Sequence, residues 1–196
     1  MGYCDGLISA GLPKGDCLQT PAKGYEREAL IINRADLDFA NVVISESHPN
    51  VATTFGLKAG KKAYEVHQLG KQPFSGSTTS LTAGTYYNGV NKNFVIAVLN
   101  NDRDTQANLG DPLLNGEFIA IVERKDKGKD NASAFEIIGY HNGLQISAYE
   151  ADPYGDVYGG GLYTLTEENA PVTRMYLGET YEAGKALFES LKVAAE

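Results

Sequence analysis

The sequence predicts a mainly β chain: an antiparallel β-sandwich or barrel with a C-terminal α-helix and an extended N-terminal arm. Short runs of apolar, β-branched and aromatic residues recur between turn residues, which is the pattern of strands. The 196 residues include Gly 22 and Tyr 12 but Trp 0 and Met 2; Tyr suits pleated surfaces and Gly supplies the positive φ of tight turns. A sustained 3.6-residue apolar period is convincing only near the C-terminus. With 42% hydrophobic and 21% charged residues, the chain is expected to bury one core, giving a single domain over residues 26–196.

Residues 1–25 hold Pro13, Pro21 and five glycines without periodicity. They read as an arm that contacts a neighbouring subunit, with Tyr3 and Leu7 as contact residues. Nine strands are expected after it: Leu30–Asn33, Val42–Ser45, Tyr64–Leu69, Phe94–Leu99, Phe118–Glu123, Phe135–Tyr140, Leu144–Tyr149, Leu162–Thr166 and Arg174–Leu177. Phe94–Leu99 and Phe118–Val122 are apolar on both faces, as a strand covered on both sides must be. Asn142-Gly143 is the preferred pair of a two-residue hairpin turn, so Phe135–Tyr149 reads as a β-hairpin. Residues 101–116 and 125–133 are polar and read as exposed loops. In the expected helix, 180–195, Gly184, Leu187, Phe188, Leu191 and Ala195 form one stripe, Thr180 is the N-cap, and Gly184 needs tertiary packing to offset up to ~1 kcal/mol.

Chemical signatures are weak. Gly159-Gly160-Gly161 runs into a strand-like segment rather than a helix, so it is no phosphate loop. Asp102, Asp104, Gln106, Asn108 and Asp111 are spaced like calcium ligands, but the turn glycine and final glutamate are missing. His48, His67 and His141 are scattered, with His48 and His141 reading as solvent-facing turn residues. Cys4 and Cys17, with twelve residues between them, fit neither a redox nor a zinc motif, and their pairing is open. The expectation is no enzyme, no cofactor and no metal. The N-terminus lacks a signal-peptide pattern, and the longest apolar run, Phe94–Leu99, is too short for a membrane helix, so a soluble cytoplasmic product with no membrane partner is expected.

The net charge of −8 is unevenly placed: residues 1–100 carry nine basic and eight acidic side chains, residues 101–196 eight and seventeen. No basic stripe is present to wrap nucleic acid.

Four blocks carry a resemblance across residues 80–172: Leu81-Thr82-Ala83-Gly84-Thr85-Tyr86-Tyr87, Asn115 to Glu123, Phe135 to Leu144, and Gly161 to Thr166 with Ala170-Pro171. In order and spacing they resemble the major virion structural proteins of tailed bacteriophages, of the tail-tube-like kind. The resemblance implies a virion subunit, made in the host bacterial cytoplasm, that self-assembles into stacked homo-oligomeric rings, expected as hexamers, and meets other virion proteins. Its lumen would carry DNA as a passing cargo that does not stick. Expected interface residues are Tyr3, Leu7, Tyr86, Tyr87, Tyr154 and Tyr158; expected lumen-facing acids are Asp102, Asp104, Asp152, Asp156, Glu167 and Glu168. The alternatives are another virion ring, a tail-completion or capsid-associated subunit, or a sandwich module that binds carbohydrate or protein through Tyr149, Tyr154, Tyr158 and Tyr163.

Overall fold

The structure, a computed structural model, describes residues 11, 22–157 and 160–195. The contacts expected of Tyr3, Leu7 and Tyr158, and the state of Cys4 and Cys17, lie outside those residues. Among the described residues eleven strands form two sheets. The larger has seven strands in the order β2 (Val43–Ile44), β3 (Val51–Thr54), β11 (Met175–Leu177), β8 (Phe135–Ile138), β7 (Phe118–Arg124), β1 (Tyr25–Asn33) and β4 (Tyr64–His67). The smaller has four: β5 (Thr78–Thr82), β6 (Gly89–Val98), β10 (Gly161–Ala170) and β9 (Gln145–Glu150). All pairs are antiparallel except β3–β11. The two sheets stack as a sandwich, and neither closes into a barrel.

Strand alternation builds three layers from one central sheet. In β1, Leu30 and Ile32 face one apolar cluster while Ala29 and Ile31 face another. In β7, Ile119 and Ile121 join the first while Phe118, Ala120 and Val122 join the second. The second cluster fills the space against the small sheet through Phe94, Ile96, Tyr163 and Leu165. The first is covered by the C-terminal helix Tyr181–Ser190 through Phe188 and by its C-cap residue Leu191, each 4% exposed. A central sheet packed on both sides needs continuous apolar runs, which is why β7 shows one.

The helix begins as its sequence predicts: the Thr180 hydroxyl accepts a hydrogen bond from Ala183 N at 3.2 Å. Gly184 is the point of closest approach, since a Cβ there would lie 2.5 Å from the Leu177 carbonyl oxygen and 2.8 Å from the Phe135 ring. The glycine that weakens the isolated helix lets it seat on β8 and β11.

Four expectations are corrected. The strands β3 and β5 were not anticipated, because Val51–Thr54 and Thr78–Thr82 are short, and β5 is mostly hydroxyl-bearing. β1 begins at Tyr25, inside the expected arm, where Tyr25 pairs with Arg124. Residues 103–115 are helical rather than loop: Asp102 caps the segment by accepting from Thr105 N and Thr105 Oγ1, both at 2.8 Å, and Leu113 is 1% exposed. Finally, β8 and β9 do not pair. β8 lies between β7 and β11 in one sheet, and β9 lies beside β10 in the other. Asn142-Gly143 belongs to a five-residue corner that carries the chain between sheets. The corner is closed by Gly143 N donating to Gly139 O at 3.0 Å, an α-turn with positive φ at both glycines.

Candidate assembly surface

The corner is organised by a buried charge. Glu167, 0% exposed, accepts from Gly139 N at 3.0 Å, His141 N at 3.0 Å and Asn142 N at 3.1 Å, and lies 3.3 Å from the Lys92 ammonium. Glu167 therefore presents no charge to solvent, contrary to the expectation that it lines a lumen: it follows Tyr163 and Leu165 on the inward face of β10. His141 is half-buried instead of solvent-facing. Burial lowers its pKa, with Lys92 and Arg34 adding to the effect and Glu167 opposing it.

A second buried carboxylate, Glu136, lies 3.7 Å from Arg124 Nε and 3.8 Å from Arg174 Nε. Burial raises its pKa against the pull of those two guanidiniums. Burial and then Glu136 push the Tyr25 hydroxyl up to about 12, so it stays protonated. These residues span β1, β7 and β8 beside β11 and hold the sheet's inner face.

Two clusters have the residue types of a reactive site. Ser45, Ser47, His48 and Glu179 meet in a turn, but Ser47 Oγ at 3.1 Å and Glu179 Oε1 at 3.9 Å both approach the same nitrogen, His48 Nδ1. The imidazole is thus not placed to relay a proton from hydroxyl to carboxylate. Among the described residues, Glu28, Glu65 and His67 alone offer metal-type ligand atoms close together. The Lys192 ammonium already sits there, paired with Glu28, with Glu65 at 3.2 Å and with Glu189 at 2.9 Å, so these carboxylates already share a cation of the chain's own.

What is left open is the small sheet. Its outer face carries a row of hydrogen-bonded polar side chains across all four strands: Asn93 Nδ2 donates to Thr78 Oγ1 at 3.2 Å, and Thr166 Oγ1 contacts Asn93 Oδ1 at 2.8 Å and Ser147 Oγ at 2.7 Å. Strand register puts Glu168 and Glu150 on this face and turns the basic residue of β6, Lys92, inward. Both edge strands are exposed, and β5 (Thr-Thr-Ser-Leu-Thr) has neither a charge nor a proline. Natural edges are blunted by such residues or by being very short. The large sheet's edges follow that rule, since β2 has 2 residues and β4 carries Glu65 and His67.

Of the expected interface tyrosines, Tyr86 and Tyr87 are 96% and 73% exposed in the β5–β6 connection, and Tyr154 is 98% exposed in the β9–β10 connection. Tyr163, offered as a ligand-binding residue, is 1% exposed, and the Tyr149 ring packs against it, tilted, at 4.8 Å between centroids. Asp102, Asp104, Asp152, Asp156 and Glu168 are exposed. The first four flank the end of the small sheet where β6 finishes and β10 begins, and Glu168 lies toward the other end. Hydrogen bonds from Thr105 hold the Asp102 carboxyl below the usual range. Among the described residues no helix is long and apolar enough to cross a membrane. Compared with family models, curated proteins and solved structures, the chain finds no match.

Proposed function

We propose that the chain is a structural subunit of a tailed-phage particle, tail-tube-like, whose copies pair through the edges of the small sheet into rings that stack around a DNA-conducting lumen. The carrying observation is the unguarded edge strand β5, exposed from Thr78 to Leu81 and opposite the mostly exposed edge β9. A monomer leaves such an edge open to pairing with another chain, and a second copy fills it.

Topology supports a ring. The four strands alternate in direction. Placing β5 of the next copy against β9 by simple rotation therefore continues an antiparallel sheet without a parallel joint. Such a contact joins two different patches, so it closes into a ring when the rotation divides the circle. The outer face then lines the lumen. Hydroxyls, amides and acids with no strand-borne cation let duplex phosphates pass without the counterion release that drives adsorption.

Negative-stain images of the purified full chain test this, with rings or tubes the expected result. Leu81→Lys, at a residue 70% exposed on β5, is expected to leave the thermal midpoint unchanged and yield monomers. A wild-type chain that stays monomeric at high concentration, or that binds glycans as a monomer, overturns the proposal.

A further inference from the structure

Among the described residues the three most exposed tyrosines, Tyr86, Tyr87 and Tyr154, stand at opposite ends of one structural unit. β6 begins where Gly89 pairs with Thr82 and ends where Val98 pairs with Gly161. The connection bearing Tyr86 and Tyr87 therefore projects from one end of the small sheet and the connection bearing Tyr154 from the other. Ten residues of strand separate the two ends, roughly 33 Å at the usual rise.

Both tips are locally ordered. A Cβ at Gly84 would lie 2.2 Å from the Tyr87 carbonyl oxygen, so the chain doubles back tightly there. In the other tip Tyr154 N donates to Asp152 Oδ1 at 2.9 Å, and Gly155 N donates to Asp152 O at 3.1 Å. Among the described residues none of the three rings packs on another ring. Large aromatic surface held out in water is what protein interfaces bury at their centres.

Charge distinguishes the ends. The Tyr86 tip, residues 83–88, has no ionisable group other than its tyrosines, whereas the Tyr154 tip is flanked by Glu150, Asp152 and Asp156. Two acidic tips brought together would repel. A neutral tip against an acidic one has no such penalty, and the Tyr86 and Tyr87 hydroxyls can donate to the aspartate carboxylates.

We infer that the Tyr86–Tyr87 tip of one copy docks on the Tyr154 tip of the next along the strand direction, making the head-to-tail contact by which rings stack. This rests on the ring reading above. The contact joins unlike ends and runs along the strands, so it does not close on itself and propagates as a tube.

The test compares tube length in negative-stain images of the full-length protein, as wild type, Tyr86→Ser/Tyr87→Ser and Tyr154→Ser. Because these side chains are 96%, 73% and 98% exposed at Tyr86, Tyr87 and Tyr154, circular dichroism and thermal midpoint should match wild type. The expected result is tubes for wild type and single rings for both variants, with Tyr86→Phe/Tyr87→Phe intermediate in length. Variants that form tubes of wild-type length overturn the stacking contact while leaving the ring reading intact. A wild type that forms neither rings nor tubes overturns both. Should the double variant misfold, the Tyr154→Ser protein alone decides, since it probes the same contact from the opposite end.

Discussion

Apolar side chains occupy both faces of the seven-stranded sheet's central strands, whereas the outer face of the four-stranded sheet carries hydroxyls, amides and acids beside an apolar end at Val95, Ala97 and Leu162. The contrast continues at the edges. The large sheet ends in a two-residue strand and a strand bearing Glu65 and His67, while the small sheet ends in strands of five and six residues that are mostly exposed. The edges of one sheet are blunted within the subunit and those of the other are not, and on the proposed reading a second copy completes the latter. The same alternation rule produces both, because what decides is whether a second layer covers the outward-pointing residues.

The largest way to break this contrast is at the joint between the sheets. Glu167→Gln removes the charge that Lys92 needs while both groups are buried. Leaving one buried charge unpaired costs about 3–5 kcal/mol, measurable as a lower denaturant midpoint. A change under about 1 kcal/mol would mean that the corner is held by Gly139 and Gly143 alone. Phe188→Ala attacks only the large sheet's far side, where the ring meets Phe135 at 5.3 Å. It is expected to cost about 3 kcal/mol in equilibrium unfolding without changing ring formation, because the helix lies on the layer away from the small sheet.

A smaller effect should come with pH. His141 titrates lower in the folded chain than its ordinary value, so the unfolded chain binds the proton first. The stability tied to its neutral form is fully present above the ordinary histidine value near 6.5 and is lost as pH falls through the folded pKa. The slope is at most about 1.4 kcal/mol per pH unit, that of a single proton. His141→Gln should flatten unfolding curves between pH 7 and 5; an unchanged slope would move the acid sensitivity elsewhere.

How much of this could be read in the sequence follows the same division. β1, β6, β7 and the C-terminal helix were legible because burial on one or both faces imposes an apolar pattern. β5 was not, since an exposed edge strand of Thr and Ser carries no such pattern and looks like a loop. Asn142-Gly143 misled because its two flanking runs are strands, as expected, but belong to different sheets. The signal that decides this is the pair of glycines at 139 and 143, four apart, and it becomes clear only once Glu167 is seen to gather the intervening N–H groups. Glu167 and Glu168 are neighbours in sequence with opposite fates, and only strand parity with Tyr163 and Leu165 assigns the buried one.

The least perturbing change sharpens the contrast at the small sheet's open face. Gln145 and Ala148 are exposed on the outer side of β9, opposite Thr166 and Thr164. Replacing both with lysine alters no buried contact, so stability should move by no more than about 0.5 kcal/mol. If this face lines a lumen, however, each ring gains a band of positive charge where the wild type has hydroxyls, amides and Glu168. Duplex DNA should then adsorb to assembled Gln145→Lys/Ala148→Lys particles and not to wild type. Raising salt should release it, with a log–log slope of about −0.9 for each phosphate neutralised. The same two lysines on an outer wall would also attract DNA, so position must be read as well: adsorption should be confined to fragments short enough to enter an open tube end, with long circular duplex left free. Equal binding of circular and short linear DNA would put this face outside, and the acids of residues 101–196 would then serve solubility rather than passage.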